Sequence, residues 1–173
     1  VTVNPSPTMT SGSTATICSG ETLNIGLTSD NASTYSWIAT ANANVTGEST
    51  SAQSGNTINN TLTNTTATVQ TVIYTVTPTS TAESCAGTPQ TVTITVNPLP
   101  TATASNNNPC IDLPLTLTGG TSGLSYSWSG PNSFSSTSQS PTVSANATAG
   151  MSGVYTITVT DLGTTCSNTA TTT

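Results

Sequence analysis

The chain has no lysine, no arginine and no histidine. Without cations there is no ion pair to build and no clamp for phosphate, and nucleic-acid binding, which rests on Lys and Arg neutralising the backbone, is not expected. An anionic membrane surface lacks its attractant for the same reason. No apolar run approaches the roughly 20 residues of a spanning helix, so membrane insertion is not expected either. No signal peptide is present, and the sequence reads as a mature chain or a fragment. Most acid–base chemistry also draws on His or Lys, and no Ser-His, Cys-His or glycine-rich phosphate motif occurs. The expectation is a protein with no catalytic residues and no cofactor. The same gap removes every trypsin-type cleavage site, which suits exposure to foreign proteases.

Charge is scarce altogether, at 3% of residues and a formal net charge of −6. The six acids, Glu21, Asp30, Glu48, Glu83, Asp112 and Asp161, are dispersed. Paired carboxylates for hydrolysis or a calcium cage would need clustering. Asp161, just after a strong strand, reads as a turn cap, with a weak calcium contact as the alternative. What fills the chain instead is threonine, about a quarter of it and far above ordinary usage. Threonine is β-branched and holds water without charge, so it serves a strand surface. A disordered, mucin-like stalk would also be rich in Thr and Ser. It would not carry periodic apolar residues with two Trp and four Tyr.

Those apolar residues alternate. Leu23, Ile25 and Leu27 face one way, as do Tyr35 and Trp37, then Val72, Tyr74 and Val76, then Val92, Ile94 and Val96. Between them, Ala41–Gly55 is Asn-, Ser- and Thr-rich, with one weak strand near Val45. The order then repeats: Leu113, Leu115 and Leu117, Tyr126 and Trp128, weaker strands at Phe134 and Val143, and Tyr155, Ile157 and Val159. Cys18 recurs 92 residues on as Cys110, Trp37 recurs 91 on as Trp128, and Cys85 recurs 81 on as Cys166. The offset shrinks between the Trp and the later Tyr, so two related domains differ by a middle loop. No helical period appears. Strands with turn signals every 8 to 12 residues predict an all-β chain of two tandem immunoglobulin-like, antiparallel β-sandwiches.

A Pro-x-Pro follows an alternating strand twice: Val1-Thr2-Val3-Asn4-Pro5-Ser6-Pro7, and Ile94-Thr95-Val96-Asn97-Pro98-Leu99-Pro100. Proline fixes φ and cannot donate to a ladder, so each is a stiff exit from a strand. The boundaries expected are 1–8 as the closing strand and linker of a preceding repeat, 9–98 as the first sandwich, and 99–173 as a second sandwich lacking its last strand. Val1 and Val3, with Pro5 and Pro7, would then complete a neighbouring sandwich, within one long chain or by strand donation between copies. Val96, Pro98 and Pro100 mark the equivalent internal joint.

The four cysteines suggest disulfides; with no His and no CxxC, no metal site is expected. Spacing suggests Cys18–Cys85 and Cys110–Cys166, one per domain, each contributing roughly 3–4 kcal/mol by loop entropy. That pairing meets a difficulty, because the two cysteines of one immunoglobulin-like domain fall near opposite ends, whereas Cα atoms must come within about 7 Å. The alternative is Cys18 with Cys166 across the domain junction, and Cys110 with Cys85 of the next copy. Asn31, Asn44, Asn59, Asn64 and Asn146 match the N-glycosylation pattern, and O-linked sugars on Thr and Ser are an alternative. The Tyr-x-Trp pairs read as core, with sugar stacking as the alternative.

Gln70-Thr71-Val72-Ile73-Tyr74-Thr75-Val76-Thr77-Pro78, Cys85-Ala86-Gly87-Thr88-Pro89 and Val92-Thr93-Ile94-Thr95-Val96-Asn97-Pro98 together resemble the PKD-like repeats of large Bacteroidetes surface proteins. Tyr126-Ser127-Trp128-Ser129-Gly130-Pro131-Asn132 with Gly153-Val154-Tyr155-Thr156-Ile157-Thr158-Val159 resembles the immunoglobulin-like repeats of the same proteins. The resemblance implies stalks of secreted adhesins, including gliding-motility adhesins exported by the type IX system, with no catalytic residues to carry over. Such repeats are poor in Lys, Arg and His; their complete absence here departs from the pattern and suggests a dedicated filament protein. The expectation is an extracellular or cell-surface structural module whose partners are copies of itself or adjacent repeats in a fibre. The second possibility is a binding module whose loops, such as Ala41–Gly55, recognise surface glycans or a protein.

Overall fold

The structure, a computed structural model, describes residues 4–121 and 124–173. It is all-β, and the chain divides into two compact units, Val1–Pro98 and Leu99–Thr173. Among the described residues no helix is long and apolar enough to cross a membrane.

The first unit carries β1 (Thr14–Cys18), β2 (Ile25–Gly26), β3 (Ser33–Ala39), β4 (Val45–Thr46), β5 (Gln53–Ser54), β6 (Thr57–Ile58), β7 (Thr63–Asn64), β8 (Gln70–Ser80) and β9 (Gln90–Asn97). One sheet runs in the order β1-β9-β8-β3-β5, and β2 pairs with β6 and β4 with β7 in the facing layer. The alternation of β8 puts Val72, Tyr74 and Val76 fully inside and leaves Thr71 and Ile73 to solvent. Leu23, Leu27, Ile58 and Leu62 join them, with Trp37 and Ile94, in one core. Each such side chain contributes about 1.5–3 kcal/mol by leaving water. Trp37 and Tyr74 meet edge to face, with ring centroids 5.8 Å apart.

The second unit carries β10 (Ala104–Asn106), β11 (Leu115–Gly119), β12 (Ser125–Gly130), β13 (Phe134–Ser136), β14 (Thr142–Ser144), β15 (Tyr155–Thr160) and β16 (Ser167–Thr172), with short 3-10 turns at Pro131–Ser133 and Ala149–Met151. The sheets are β13-β12-β15-β16 and β10-β11-β14. Trp128, Ile157, Val159 and Leu117 form the centre of a smaller core. Gly130 lets the Tyr155 ring lie directly on the backbone of β12, where a Cβ would collide with it.

Four expectations are corrected. The pairing is not antiparallel throughout, because β1 runs parallel to β9, with Thr14 opposite Thr93 and Cys18 opposite Asn97. Leu113 is not part of the strand that begins at Leu115; it is exposed in the preceding turn. The second sandwich does not lack its closing strand: β16 pairs with β15 along six residues, from Thr160↔Ser167 to Tyr155↔Thr172. Its sequence, Ser-Asn-Thr-Ala-Thr-Thr, has no large apolar residue and so shows no alternation to read. Finally, residues 4–8 are not set apart from the first sandwich. Pro7 is buried, its carbonyl lies against Gly87 where a Cβ would not fit, and Thr8 N donates to Asp30 Oδ1 at 2.8 Å while Asp30 N donates to Thr8 O at 3.0 Å. Val1 and Val3, the proposed donor residues, lie outside the described residues.

Candidate functional site: matched cysteine turns at the domain poles

In each sandwich the chain enters at one end and leaves at the other. We call these the leading and trailing poles. In the first unit Pro7 sits at the leading pole, against Gly87, and β9 ends at the trailing pole with Asn97. In the second, Asn168 Nδ2 donates to Pro100 O (3.1 Å) at the leading pole, where β16 starts. Asn106 Nδ2 donates to Thr172 Oγ1 (2.8 Å) at the trailing pole, where β16 ends.

Each trailing pole carries a tight turn that begins on a cysteine. Glu21 N donates to Cys18 O at 3.1 Å, and Leu113 N donates to Cys110 O at 3.2 Å. The third residue of each turn is left-handed, Gly20 at φ 86° and Asp112 at φ 67°. Gly takes that region freely and Asp tolerates it through its short polar side chain. The same rungs follow. Gly20 N donates to Leu62 O (2.8 Å) and Asp112 N to Ala147 O (2.9 Å); Leu62 N donates to Glu21 O (3.2 Å) and Ala147 N to Leu113 O (2.8 Å).

Each leading pole carries a hairpin that ends on a cysteine. Ser80 N donates to Cys85 O at 2.9 Å, and Asp161 N donates to Cys166 O at 2.9 Å. Ser84 N donates back to Ser80 O (3.1 Å) and Thr165 N to Asp161 O (2.8 Å). The residue before the cysteine is left-handed in both, Ser84 at φ 56° and Thr165 at φ 60°. The fold therefore builds two copies of each of two cysteine turns.

Their redox states differ. Cys18 and Cys166 are disulfide-bonded, whereas Cys85 and Cys110 are free thiols. The intradomain pairs Cys18–Cys85 and Cys110–Cys166 are thus absent, and register explains why. Cys18 lies opposite Asn97, the last residue of β9, while Cys85 precedes Gln90, the first. Seven residues at about 3.3 Å each set the ends of β9 roughly 23 Å apart, far beyond the reach of a disulfide. In the second unit β16 separates Cys166 from the Cys110 turn in the same way.

The acids serve turns. Asp161 Oδ1 accepts from Gly163 N (2.8 Å) and Thr164 N (3.0 Å), and these bonds hold its carboxyl below the usual carboxylate range. This is the turn cap expected of it. Glu21 Oε2 accepts from Cys18 N (2.9 Å), Glu48 Oε1 from Asn42 N (3.2 Å), and Glu83 Oε2 from Ser80 Oγ (2.7 Å). Among the described residues no group of three or more His, Cys, Asp or Glu is placed to hold a metal.

Tyr35, Trp37 and Trp128 are buried and Tyr126 half-buried, so the aromatic pairs belong to the cores and not to a sugar platform. Of the sequon asparagines, Asn31, Asn44, Asn59 and Asn146 are exposed. Asn64 is corrected: it is buried, and its Nδ2 donates to Thr68 O (2.7 Å) and Val96 O (3.0 Å). A glycan there would break that bonding at the trailing pole. Of the linker residues, Val96 is buried in its own sandwich, Pro5 is exposed, and Pro98 and Pro100 are half-buried. Sequence reading missed the matched turns. Their signal was a cysteine followed two residues later by Gly or Asp.

Two facing sheets with a buried Trp on a central strand of each unit define an immunoglobulin- and PKD-like β-sandwich protein. Residues 15–100 match the profile of the PKD-like domain. Among solved structures the chain is similar to the amphioxus IgVJ-C2 molecule (13% identity, 91% of this chain and 98% of that one, TM-score 0.38). It is also similar to the N-terminal four Ig domains of Dscam1 isoform 7.44 (10% identity, 95% and 44%, TM-score 0.31) and to Dpr2 Ig1-Ig2 in complex with DIP-Theta Ig1-Ig3 (10% identity, 95% and 63%, TM-score 0.34). The chain spans less than two thirds of the latter two. No curated protein matches.

Proposed function

We propose that this chain is a non-enzymatic structural segment of an extracellular filament or adhesin stalk, with adjacent repeats or copies of itself as partners. The observation that carries the reading is the threading of each sandwich, which the chain enters at the leading pole and leaves at the trailing pole. Domains threaded this way suit end-to-end stacking, in which every repeat adds length. Three features support the setting. Disulfide-bonded Cys18 and Cys166 fit an oxidising, extracellular compartment. A surface without Lys or Arg offers trypsin-like proteases nothing to cut. The resemblance to the PKD-like repeats of Bacteroidetes surface adhesins supports a stalk-building role, and the PKD-like match over residues 15–100 is in keeping with it.

The test is electron microscopy of genetic concatemers in which residue 173 of one copy runs into residue 1 of the next. A stalk gives contour lengths that rise in proportion to copy number, with two beads per copy. Compact particles whose length does not grow with copy number would overturn the reading, as would a monomer that binds glycan-array targets through Ala41–Gly55 while its concatemers collapse.

A further inference from the structure

Each bonded cysteine has a free twin in the same backbone turn, at the same pole of the other sandwich. Cys18 and Cys110 open the trailing-pole turn, with the i to i+3 bond, the left-handed third residue and both flanking rungs in common. Cys85 and Cys166 close the leading-pole hairpin, with the same two backbone bonds and the same left-handed residue before the sulfur. The bonded cysteines are the trailing-pole cysteine of the first domain and the leading-pole cysteine of the second. The thiols left over are the leading-pole cysteine of the first domain and the trailing-pole cysteine of the second.

We propose that Cys110 of one copy forms a disulfide with Cys85 of the next, joining the trailing-pole turn of one copy to the leading-pole hairpin of the following one. The partner is a second copy of this chain, in the same polymer or as a consecutive repeat, and the proposal rests on the stalk reading for its setting. The surface around Cys110 fits a joint. Cys110 is exposed, and beside it Ile111 and Leu113 are 65% and 53% exposed, where the first domain has Ser19 and Glu21. An apolar-lined cleft of about 260 Å³ opens at the same pole, between Pro109, Ile111, Met151 and Tyr155. Because the two surfaces differ, the contact is heterologous and does not close on itself, which generates an open fibre.

The chemistry is thiol–disulfide exchange with a small-molecule disulfide as oxidant. The Cys110 thiolate attacks the small disulfide, forming a mixed disulfide and releasing one small thiol. The Cys85 thiolate of the second copy then attacks the Cys110 sulfur, forming the S–S bond between copies and releasing the second small thiol. Two protein thiols are oxidised and one small disulfide is reduced to two thiols.

The experiment uses the full chain in a glutathione redox buffer, with Cys85→Ser and Cys110→Ser variants that leave Cys18 and Cys166 in place. The wild type is expected to give a non-reducing ladder at multiples of the 17.3 kDa chain mass. Each variant alone stays monomeric, their equimolar mixture forms dimer, and peptic mapping of that dimer yields a Cys110–Cys85 peptide. Circular dichroism of both variants matches the wild type, since neither residue lies in a core. Homodimers of either variant, or a mixture that stays monomeric, overturn the proposal. The double variant separates the two readings. If its concatemers remain extended while the mixture fails to cross-link, the stalk stands and the joint falls; if a ladder forms but concatemers collapse, the reverse holds.

Discussion

Trp37 and Trp128 occupy equivalent places in their sandwiches but not equivalent bonding. The Trp128 indole N–H donates to Gln139 O at 3.3 Å, whereas the buried Nε1 of Trp37 has no acceptor among the described residues. Replacing each by Phe removes similar volume, but only Trp128→Phe strands a partner and only Trp37→Phe relieves an unpaired donor. Trp128→Phe is therefore expected to cost about 1 kcal/mol more than Trp37→Phe in urea denaturation of the same chain. Tyr74 gives a pH test. Burial first, and the Glu48 carboxylate second, raise its hydroxyl well above the ordinary phenol value. Below about pH 10 the phenol is neutral in both states; above it the unfolded chain loses a proton that the folded chain keeps. Stability is thus full below that pH and falls as pH rises, and Tyr74→Phe should flatten the alkaline limb of a plot of unfolding midpoint against pH. At this scale the sequence was informative wherever a side chain follows a period of two, as at Tyr35, Trp37, Tyr74 and Val76. On the cysteines it left two pairings open, because their reach depends on which strands lie side by side.

Strands and turns carry the next set of effects. Gly87 follows the leading-pole hairpin and lies on the Pro7 carbonyl. Gly87→Ala must move backbone, not a flexible side chain, and is expected to cost about 1–3 kcal/mol in a thermal melt and to expose residues 4–8 to limited proteolysis with pepsin. Asn64 holds the trailing pole together: its Nδ2 serves Thr68 O and Val96 O, while its Oδ1 accepts from Thr66 N (2.9 Å) and Thr66 Oγ1 (2.8 Å). Asn64→Ala leaves those groups with too few partners and is expected to cost about 2 kcal/mol in urea denaturation. Strands with large alternating residues, β3, β8, β9 and β15, were legible in advance. The strand β16 was not, because Thr and Ser on both faces leave no pattern, and its pairing comes from the neighbour that Tyr155, Ile157 and Val159 provide. Parallel pairing of β1 was hidden for a different reason, since direction is a property of where a strand docks and not of its composition.

For the molecule as a whole, the missing cations set the response to solvent. With no Lys, Arg or His there is no side-chain ion pair for salt to screen, and no histidine titrates near neutrality. Thermal midpoints are expected to stay flat between about pH 5.5 and 7.5, and to rise slightly with salt as repulsion among the carboxylates is screened. A fall with added salt would contradict this. The tandem arrangement was legible from the recurrence of cysteine and tryptophan. Which cysteine turn lies at which pole was not, because that depends on strand direction within each sandwich.

The parallel alignment of β1 with β9 has a mechanical consequence. Both strands run from the leading pole to the trailing pole, and the chain reaches the first through its start and departs from the second through its end. Tension applied between the two poles of the domain would draw β1 backwards along its own axis and β9 forwards along its own. The five paired positions from Thr14↔Thr93 to Cys18↔Asn97 would then be sheared together instead of being peeled open one at a time. A domain loaded in this way resists rupture with all its rungs at once.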